Sequence, residues 1–243
     1  MAVLELDGIS KRFGRLVVAD GLSFAIEAGE TIGIVGPNGA GKSTLFAMIA
    51  GELRPDAGTI RFDGADMGHM RPNRRARLGI GRTFQVPRPF EDMTVFENVL
   101  VCVQDGAGRS GRGGRDAATT VLDEVGLLGQ ANLPAGRLTL LQRKRLELAR
   151  AWATDPRLIL LDEVAGGLTD PEVDELTAIV RRISGSGIAV LWIEHVVRAL
   201  TSTVSQLLCL AGGTFVARGT PDEVLADAEV RRLYLGAELE ETE

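Results

Sequence analysis

The chain has 243 residues, enough for one large domain with a sizeable core or for a domain that carries a small inserted lobe. Its hydrophobic fraction of 45% and charged fraction of 25% are ordinary for a soluble globular protein, and a net charge of −6 argues against a nucleic-acid partner bound through its phosphates. Cys102 and Cys209 fit neither a disulfide framework nor a metal-binding pattern, which indicates a reducing compartment.

The sequence has no apolar run near the ~20 residues that a membrane-crossing helix needs. Its longest apolar runs are Ile188–Ile193 and Leu207–Ala211. The first residues, Met1–Ile9, include Glu5 and Asp7 where a signal peptide would be apolar. We therefore expect a soluble protein that reaches any membrane through a partner.

The first part of the chain predicts mainly strands. Short apolar pieces punctuated by glycines predict strands at Val3–Leu6, Leu16–Val18, Leu22–Ile26 and Thr59–Phe62. Between them, Thr31–Val35 is typical of a strand buried on both faces, and Lys42–Ala50 has helical spacing that ends at Gly51.

The middle of the chain, from about Arg71 to Gly136, has a different character. Helical patterns occur at Met93–Gln104 and Asp116–Leu127, and Gly106–Arg115 between them is rich in Gly and Arg. An RNA-binding segment is one interpretation of that stretch. We favour a flexible surface loop, because the chain is acidic and the stretch lacks interleaved aromatic residues.

Helices and strands alternate again in the last part. The predicted elements are a helix at Thr139–Thr154, a buried strand at Leu158–Leu161, a helix to about Ser184 with Asp170 as N-cap and Pro171 at its first position, a strand at Ile188–Ile193, a hairpin of Gln206–Leu210 with Thr214–Ala217, terminal helices over Pro221–Leu235 and a frayed acidic tail at Glu238–Glu243. This alternation predicts an α/β fold: a mostly parallel sheet wrapped by helices, with a helical lobe inserted near the middle.

The sharpest motif is a P-loop that follows the predicted strand Thr31–Val35 and opens the predicted helix. Its residues are Gly36, Pro37, Asn38, Gly39, Ala40, Gly41, Lys42, Ser43 and Thr44. Glycines allow backbone N–H groups to converge on phosphate oxygens, and the helix adds its positive end. Lys42 is expected to reach the β- and γ-phosphates and Ser43 to ligate Mg²⁺. The motif predicts a site for a nucleoside triphosphate.

A second motif ends the predicted strand Leu158–Leu161, where four apolar residues run into two acids. A buried strand of this kind delivers a carboxylate at its carboxyl end, so Asp162 is expected near the Mg²⁺ of the P-loop. Glu163, one residue later, is the candidate base that polarises the attacking water.

With these motifs in this order, the chain resembles the ABC-transporter ATPases over nearly its whole length. The resemblance implies ATP as the nucleotide, Phe13 as an aromatic that stacks on adenine, and Gln85 as the loop glutamine that touches Mg²⁺ and communicates with membrane subunits. It also implies that His195 senses the γ-phosphate. The implied fold is a P-loop core with an N-terminal antiparallel β subdomain; residues 1–85 and 155–243 form the core lobe and about 86–154 the helical subdomain.

The family's signature segment, usually Leu-Ser-Gly-Gly-Gln or a variant, departs from its pattern in this chain. The matching positions are Leu138-Thr139-Leu140-Leu141-Gln142, where Thr139 keeps the hydroxyl and Thr139 with Gln142 also fits a capping box. In the family this segment contacts the nucleotide of the opposite subunit, so Thr139 and Gln142 are candidate nucleotide contacts. Leu141 stands where glycine is usual, Val164 replaces a proline, and Thr169 replaces Asp or Asn.

Within the family, the closest likeness is to the ATP-binding subunits of branched-chain amino acid importers. It rests on Gly79–Gln85, Met93–Val99, Glu194-His195 and Tyr234-Leu235-Gly236. The likeness implies a peripheral subunit at the cytoplasmic face of the inner membrane, with transmembrane permease subunits as partners and a solute-binding protein as an indirect one.

Three questions stay open at this stage. Because of Leu141, we expect the second ATPase subunit to be a different chain with an intact signature. An ATPase of lipid or lipopolysaccharide export is an alternative, and so is a nucleotide-gated regulatory subunit that hydrolyses ATP weakly.

Overall fold

The structure is a computed structural model that describes residues 2–233. The predicted end of the terminal helices, the Tyr234–Gly236 motif and the predicted acidic tail, Glu238–Glu243, therefore lie outside the described residues.

The strands, in chain order, are β1 (Ala2–Phe13), β2 (Leu16–Glu27), β3 (Thr31–Val35), β4 (Ala57–Phe62), β5 (Ala65–Asp66), β6 (Ile80–Arg82), β7 (Leu158–Asp162), β8 (Ala189–Ile193), β9 (Gln206–Ala211) and β10 (Thr214–Gly219). The helices are α1 (Lys42–Ala50), α2 (Pro72–Arg77), α3 (Val95–Asp105), α4 (Gly111–Glu124), α5 (Leu140–Trp152), α6 (Asp170–Gly185), α7 (Val197–Thr201) and α8 (Pro221–Ala226). Residues 228–233 are helical as well.

The strands form two sheets. One has four antiparallel strands in the order β2-β1-β4-β5, and the other has six strands in the order β10-β9-β3-β8-β7-β6. In the six-stranded sheet only the β9–β10 hairpin is antiparallel. The predicted fold class is thus confirmed: a mostly parallel sheet with helices and an N-terminal antiparallel sheet.

The central strands β7 and β8 are buried on both faces, which accounts for their continuous apolar sequences. Alternate residues of β7 and β8 belong to two different apolar cores. Ile159 and Trp192 pack with helices α3 to α6, whereas Leu160 and Leu191 pack with α1 and the antiparallel sheet. The helices of the middle segment therefore share one continuous core with the parallel sheet. The division of the chain at residues 86 and 154 stays a prediction.

Several predicted elements differ from the structure in their bounds. The separate strands predicted at Leu16–Val18 and Leu22–Ile26 are one strand, β2, because its pairing with β1 continues through register shifts. The short elements α2 and β6 were not predicted, since neither has a periodic pattern long enough to detect.

The predicted flexible loop Gly106–Arg115 is partly wrong, because helix α4 already begins at Gly111. Gly114, Ala118 and Leu122 are all buried, four residues apart, so glycine supplies the smallest member of an apolar helix face. A Cβ at Gly114 would come within 2.6 Å of the Arg109 carbonyl oxygen. The glycine therefore belongs to the packing of the helix and not to a loop.

The predicted N-cap of α6 is also wrong. Thr169, not Asp170, occupies the N-cap position, and the Glu172 carboxylate accepts hydrogen bonds from both the Thr169 backbone N–H and its hydroxyl, each at 2.8 Å. A threonine followed three residues later by glutamate forms the reciprocal contact that Asp170 cannot make. None of the helices within residues 2–233 has both the length and the apolar character that crossing a bilayer requires.

Candidate active site

The P-loop connects the buried strand β3 to helix α1. Gly36, Gly39 and Gly41 all have positive φ, at 150°, 78° and 102°. A Cβ on Gly36 would collide with the Leu210 carbonyl oxygen, and one on Gly41 would collide with the Val18 carbonyl oxygen. Glycine is thus required at Gly36 and Gly41 by both backbone conformation and space.

Lys42 is folded back over this turn. Its side chain is buried at 8% exposure, and Nζ donates to the carbonyl oxygens of Gly36 at 2.6 Å and Pro37 at 3.0 Å. Burial lowers the pKa of Lys42, and the negative charges of Glu163 and Asp162 oppose that shift. The Lys42 ammonium is therefore a buried cation. A phosphate could take the place of the two carbonyl oxygens and form stronger, charge-assisted hydrogen bonds with it.

A cavity of about 180 Å³ opens at the start of α1. Its lining consists of Val18, the segment Asn38–Thr44 and Glu163. The N-cap residue of α1 is Gly41, and among the described residues no side chain caps this helix end. The first backbone N–H groups of α1 therefore face a polar cavity, which is the arrangement that binds anions at helix N-termini.

Asp162 is the last residue of β7 and is 7% exposed. Its backbone N–H donates to the Thr83 hydroxyl at 3.1 Å, and its carboxylate lies 3.4 Å from Nη2 of Arg82. Burial raises the pKa of Asp162, and the Arg82 guanidinium opposes this rise. The structure thus holds a carboxylate beside the P-loop lysine, at the position that the strand motif predicts.

Glu163 brings two other predicted residues together. Its Oε2 atom accepts a hydrogen bond from Gln85 Nε2 at 2.6 Å and lies 3.8 Å from Nδ1 of His195. The His195 ring is exposed, and contact with a bound nucleotide stays a prediction. Three predicted residues from distant parts of the chain therefore meet at the edge of the P-loop cavity.

Phe13 lies at the end of β1, next to the hairpin turn. It is half exposed, and the Lys11 ammonium sits 5.6 Å from the centre of its ring. Phe13 pairs with Leu16 across the hairpin, two residues before Val18, which lines the cavity. The position is compatible with a base-stacking role, which stays a prediction.

The signature positions are not part of this cavity. Thr139 is the N-cap of α5, and its hydroxyl accepts from the Gln142 N–H at 3.4 Å while Gln142 Oε1 accepts from the Thr139 N–H at 3.0 Å. The predicted capping box is confirmed. Within residues 2–233, neither residue lines the P-loop cavity, so a role in nucleotide binding requires a second chain.

Sequence comparison provides the family. The sequence model described as "ABC transporter" matches residues 19–166, more than half of the chain, and a model described as "Branched-chain amino acid ATP-binding cassette transporter" matches residues 216–240. The chain belongs to the ABC transporter family.

Individual relatives cover almost the whole cassette. BraF of Pseudomonas aeruginosa, a high-affinity branched-chain amino acid transport ATP-binding protein, is 36% identical over 249 positions, covering 96% of this chain and 98% of that protein. LptB of Escherichia coli K12, the ATP-binding protein of a lipopolysaccharide export system, is 35% identical and covers 97% of this chain and 98% of that protein. The ADP conformation of an ATP-binding cassette superposes with a TM-score of 0.88 at 31% identity, covering 97% and 99% of the two chains.

The cassette is therefore a nucleotide-binding ATPase subunit of an ABC transporter, as the resemblance implies. The comparisons leave the cargo open, because one similar protein serves branched-chain amino acid transport and another serves lipopolysaccharide export.

Sequence reasoning missed three charged residues of the site: Arg82, Lys144 and Glu194. Arg82 bridges Asp162 and Glu52, and Lys144 and Glu194 are buried behind Glu163. The sequence pattern could have indicated Lys144, because this residue lies on the apolar face of α5 with Leu148, four residues later. A charged residue on the buried face of a helix must find partners, and here those partners belong to the site.

Proposed function

We propose that this ABC ATPase binds MgATP at the P-loop and hydrolyses it with Glu163 as the general base. The observation that carries the proposal is the convergence on Glu163: it lines the P-loop cavity, accepts a 2.6 Å hydrogen bond from Gln85 and lies beside His195. A base must lie within hydrogen-bond reach of the water that it activates, and this carboxylate faces the space where that water would sit.

Each residue has a separate part in the reaction. Glu163 accepts a proton as the water oxygen attacks the γ-phosphorus and the bond to the β–γ bridging oxygen breaks, giving ADP and phosphate. Lys42 and the backbone N–H groups of the P-loop stabilise the charge on the phosphate oxygens. Gln85 and His195 hold the carboxylate. Gln85 would also contact Mg²⁺, His195 senses the γ-phosphate, and Phe13 stacks on the adenine.

The residues of the site also fit Mg²⁺. Its ligands would be the Ser43 hydroxyl, the Asp162 carboxylate and the Gln85 side-chain oxygen, completed by phosphate oxygens and water. Within the described residues no three His, Cys, Asp or Glu side chains form a metal-binding group, which suits Mg²⁺ because this ion usually takes one or two carboxylates and substrate oxygens. When bound, Mg²⁺ would neutralise charge that develops on the phosphates.

A second ATPase chain is expected to complete the site. Thr139 and Gln142 lie outside the P-loop cavity of their own chain, and Leu140 beside them is exposed. We infer a dimer in which each signature segment faces the other chain's P-loop, with a different chain as the partner because Leu141 restricts close backbone approach. Vigorous, cooperative hydrolysis by this chain alone would contradict the heterodimer.

The segment between β6 and α3 is the proposed contact with the permease subunits. Phe84, Val86 and Phe90 are exposed on both sides of Gln85, and Phe84 borders a groove that also includes Ala76 and Cys102. Exposed apolar side chains around a groove are typical of a protein interface. Movement of a docked permease helix would be transmitted to Gln85 and so to Glu163. We propose that the cassette works as a peripheral subunit at the cytoplasmic face of the inner membrane.

The proposed cargo is a branched-chain amino acid or a related small amino acid or amide, with a solute-binding protein as an indirect partner. The similarity to BraF and the match at residues 216–240 support it. Lipopolysaccharide-type export is the second candidate, favoured by the similarity to LptB. A weakly hydrolysing regulatory subunit is a third, favoured by Leu141.

Two experiments test the proposal. A Glu163→Gln variant should bind MgATP about as tightly as the wild type while its turnover falls by about 100-fold or more, because only the base is lost. Undiminished turnover would contradict the assignment of the base.

The second experiment identifies the chains that co-purify from membranes with a tagged cassette. A permease pair whose solute-binding protein binds leucine supports amino acid uptake, and a lipopolysaccharide-export partner contradicts it.

A further inference from the structure

The backbone of Glu163 has an unusual conformation. Its φ angle is +48°, in the left-handed region that residues with a Cβ rarely adopt. Such a conformation is strained and persists only when the surroundings hold it. The contacts of the peptide groups around Glu163 are therefore informative.

A buried lysine holds the carbonyl side of Glu163. Lys144 of α5 is 4% exposed, and its Nζ donates to the Glu163 carbonyl oxygen at 3.2 Å and to the Gln85 carbonyl oxygen at 3.3 Å. One ammonium thus connects helix α5 to the backbone of both the candidate base and the glutamine that binds it. Burial lowers the pKa of Lys144, while Glu194, Glu163 and Glu147 oppose that shift.

A buried glutamate holds the segment that follows. Glu194 is 1% exposed, and its carboxylate accepts hydrogen bonds from the backbone N–H groups of Ala165 at 2.8 Å, His195 at 3.0 Å and Val196 at 3.3 Å. It therefore ties the loop after Glu163 to the segment that carries His195. The Glu163 N–H is fixed as well, by the Ile193 carbonyl oxygen at 2.9 Å.

We propose that Lys144 and Glu194 are positioning residues that hold Glu163 in its left-handed conformation, and that Lys144 links the start of α5 to the base. The Lys144 ammonium donates to the Glu163 carbonyl oxygen, and the Glu194 carboxylate accepts from the Ala165 N–H two residues later. Neither side chain lines the P-loop cavity. This inference rests on the proposed role of Glu163. A displacement of α5 by a partner chain would change the orientation of the Glu163 carboxylate.

The test uses the complex recovered from membranes through a tagged full-length cassette. Lys144→Met removes the ammonium and keeps the length of the side chain, whereas Lys144→Arg keeps donors for both carbonyl oxygens. Arg145→Met is the matched control, because Arg145 is the next residue of α5 but pairs with Glu175 of α6, away from Glu163. For each variant we would measure kcat, KM for ATP and the thermal unfolding midpoint.

The expected result is a fall in kcat of about 10-fold or more for Lys144→Met with KM changed less than about 3-fold, since misplacing a catalytic group acts on the chemical step. Lys144→Arg should recover most of the kcat, and Arg145→Met should keep it even if its unfolding midpoint falls. Glu194→Gln, whose amide cannot accept from all three N–H groups, should resemble Lys144→Met.

Three outcomes would overturn the inference. Wild-type kcat in Lys144→Met, an equal loss in Arg145→Met, or no recovery in Lys144→Arg would show that the ammonium does not position the base. Glu163→Gln distinguishes a failure of the positioning role from a failure of the proposed function. If Glu163→Gln turns over ATP normally, the proposed base is wrong. If it is inactive while Lys144→Met is active, only the positioning role is wrong.

Discussion

Helices α1 and α5 both begin at predicted phosphate-contact positions, and they begin in different ways. Helix α1 starts after Gly41, and among the described residues no side chain caps it. Helix α5 starts after Thr139 with a capping box, in which the Thr139 hydroxyl accepts from the Gln142 N–H and the Gln142 side chain accepts from the Thr139 N–H. Both ends carry a positive helix dipole, but at α5 the Thr139 hydroxyl already occupies one N–H group of the first turn, that of Gln142.

The surroundings of the two helix ends differ as well. At α1 the turn is built from glycines, a buried lysine lies next to it and the open donors face a cavity. At α5 the preceding turn is fixed by Arg143, which donates to the carbonyl oxygens of Leu138 at 3.0 Å and Gly136 at 2.7 Å. We therefore expect α1 to bind nucleotide within one chain and α5 to contribute only across a dimer.

The largest effect is expected from a Cβ in the turn before α1. Gly41→Ala would collide with the Val18 backbone, so its ATP affinity should fall by about 30-fold or more, because one collision displaces several donors. Gly39→Ala is the matched control: it also has positive φ, but no atom lies within 4 Å of its Cβ. Equilibrium titration with a fluorescent ATP analogue should give only a few-fold loss for Gly39→Ala. Equal losses in the two variants would contradict the steric argument.

A smaller effect is expected at α5. Thr139→Ala removes the cap and should lower the free energy of unfolding by about 1 kcal/mol. For a chain of this size that corresponds to a fall of about 2–4 °C in the unfolding midpoint, measured by calorimetry. ATP affinity of the isolated chain should not change. Thr139→Ser keeps the hydroxyl and should restore stability; weaker ATP binding by isolated Thr139→Ala would place the residue in its own chain's site.

The smallest effect concerns the two cysteines, of which Cys209 lies next to the strand that leads into the P-loop and Cys102 lies on α3. Cys209 pairs with Val35 just before the P-loop, is fully buried and has its pKa raised by burial to about 11. At pH 8 only ~0.1% of such a thiol is the reactive thiolate, and this fraction rises with pH towards 11. Cys102 of α3 is half-buried, so an aromatic disulfide reagent should modify it first in the folded chain. Equal rates for Cys102→Ser and Cys209→Ser variants would contradict this order.

The P-loop and the strand motif could be predicted from the sequence because each is local. Gly36 to Ser43 is one continuous turn, and Asp162 and Glu163 follow an apolar run that reveals a buried strand. A site residue in a continuous motif needs no tertiary information to be found.

Other parts depend on contacts across the chain and were missed or misjudged. Lys144 contacts the Glu163 carbonyl oxygen 19 residues away, and Glu194 contacts the Ala165 N–H 29 residues away. No pattern along the sequence encodes either contact. The start of α4 was misjudged because glycine normally interrupts helices, and only the packing at Gly114 explains its presence. At α6, Asp170-Pro171 was a strong local signal, but Thr169 with Glu172 made the better cap.

The central claim is that one chain holds nucleotide at α1 and not at α5, and one titration tests it. MgATP binding is measured by equilibrium dialysis for the isolated wild type, Lys42→Ala and Gln142→Ala. Loss of the buried ammonium should weaken binding by about 30-fold or more, because charge-assisted contacts to phosphate are lost, and Gln142→Ala should bind like the wild type. Wild-type affinity in Lys42→Ala, or an equal loss in Gln142→Ala, would contradict the account.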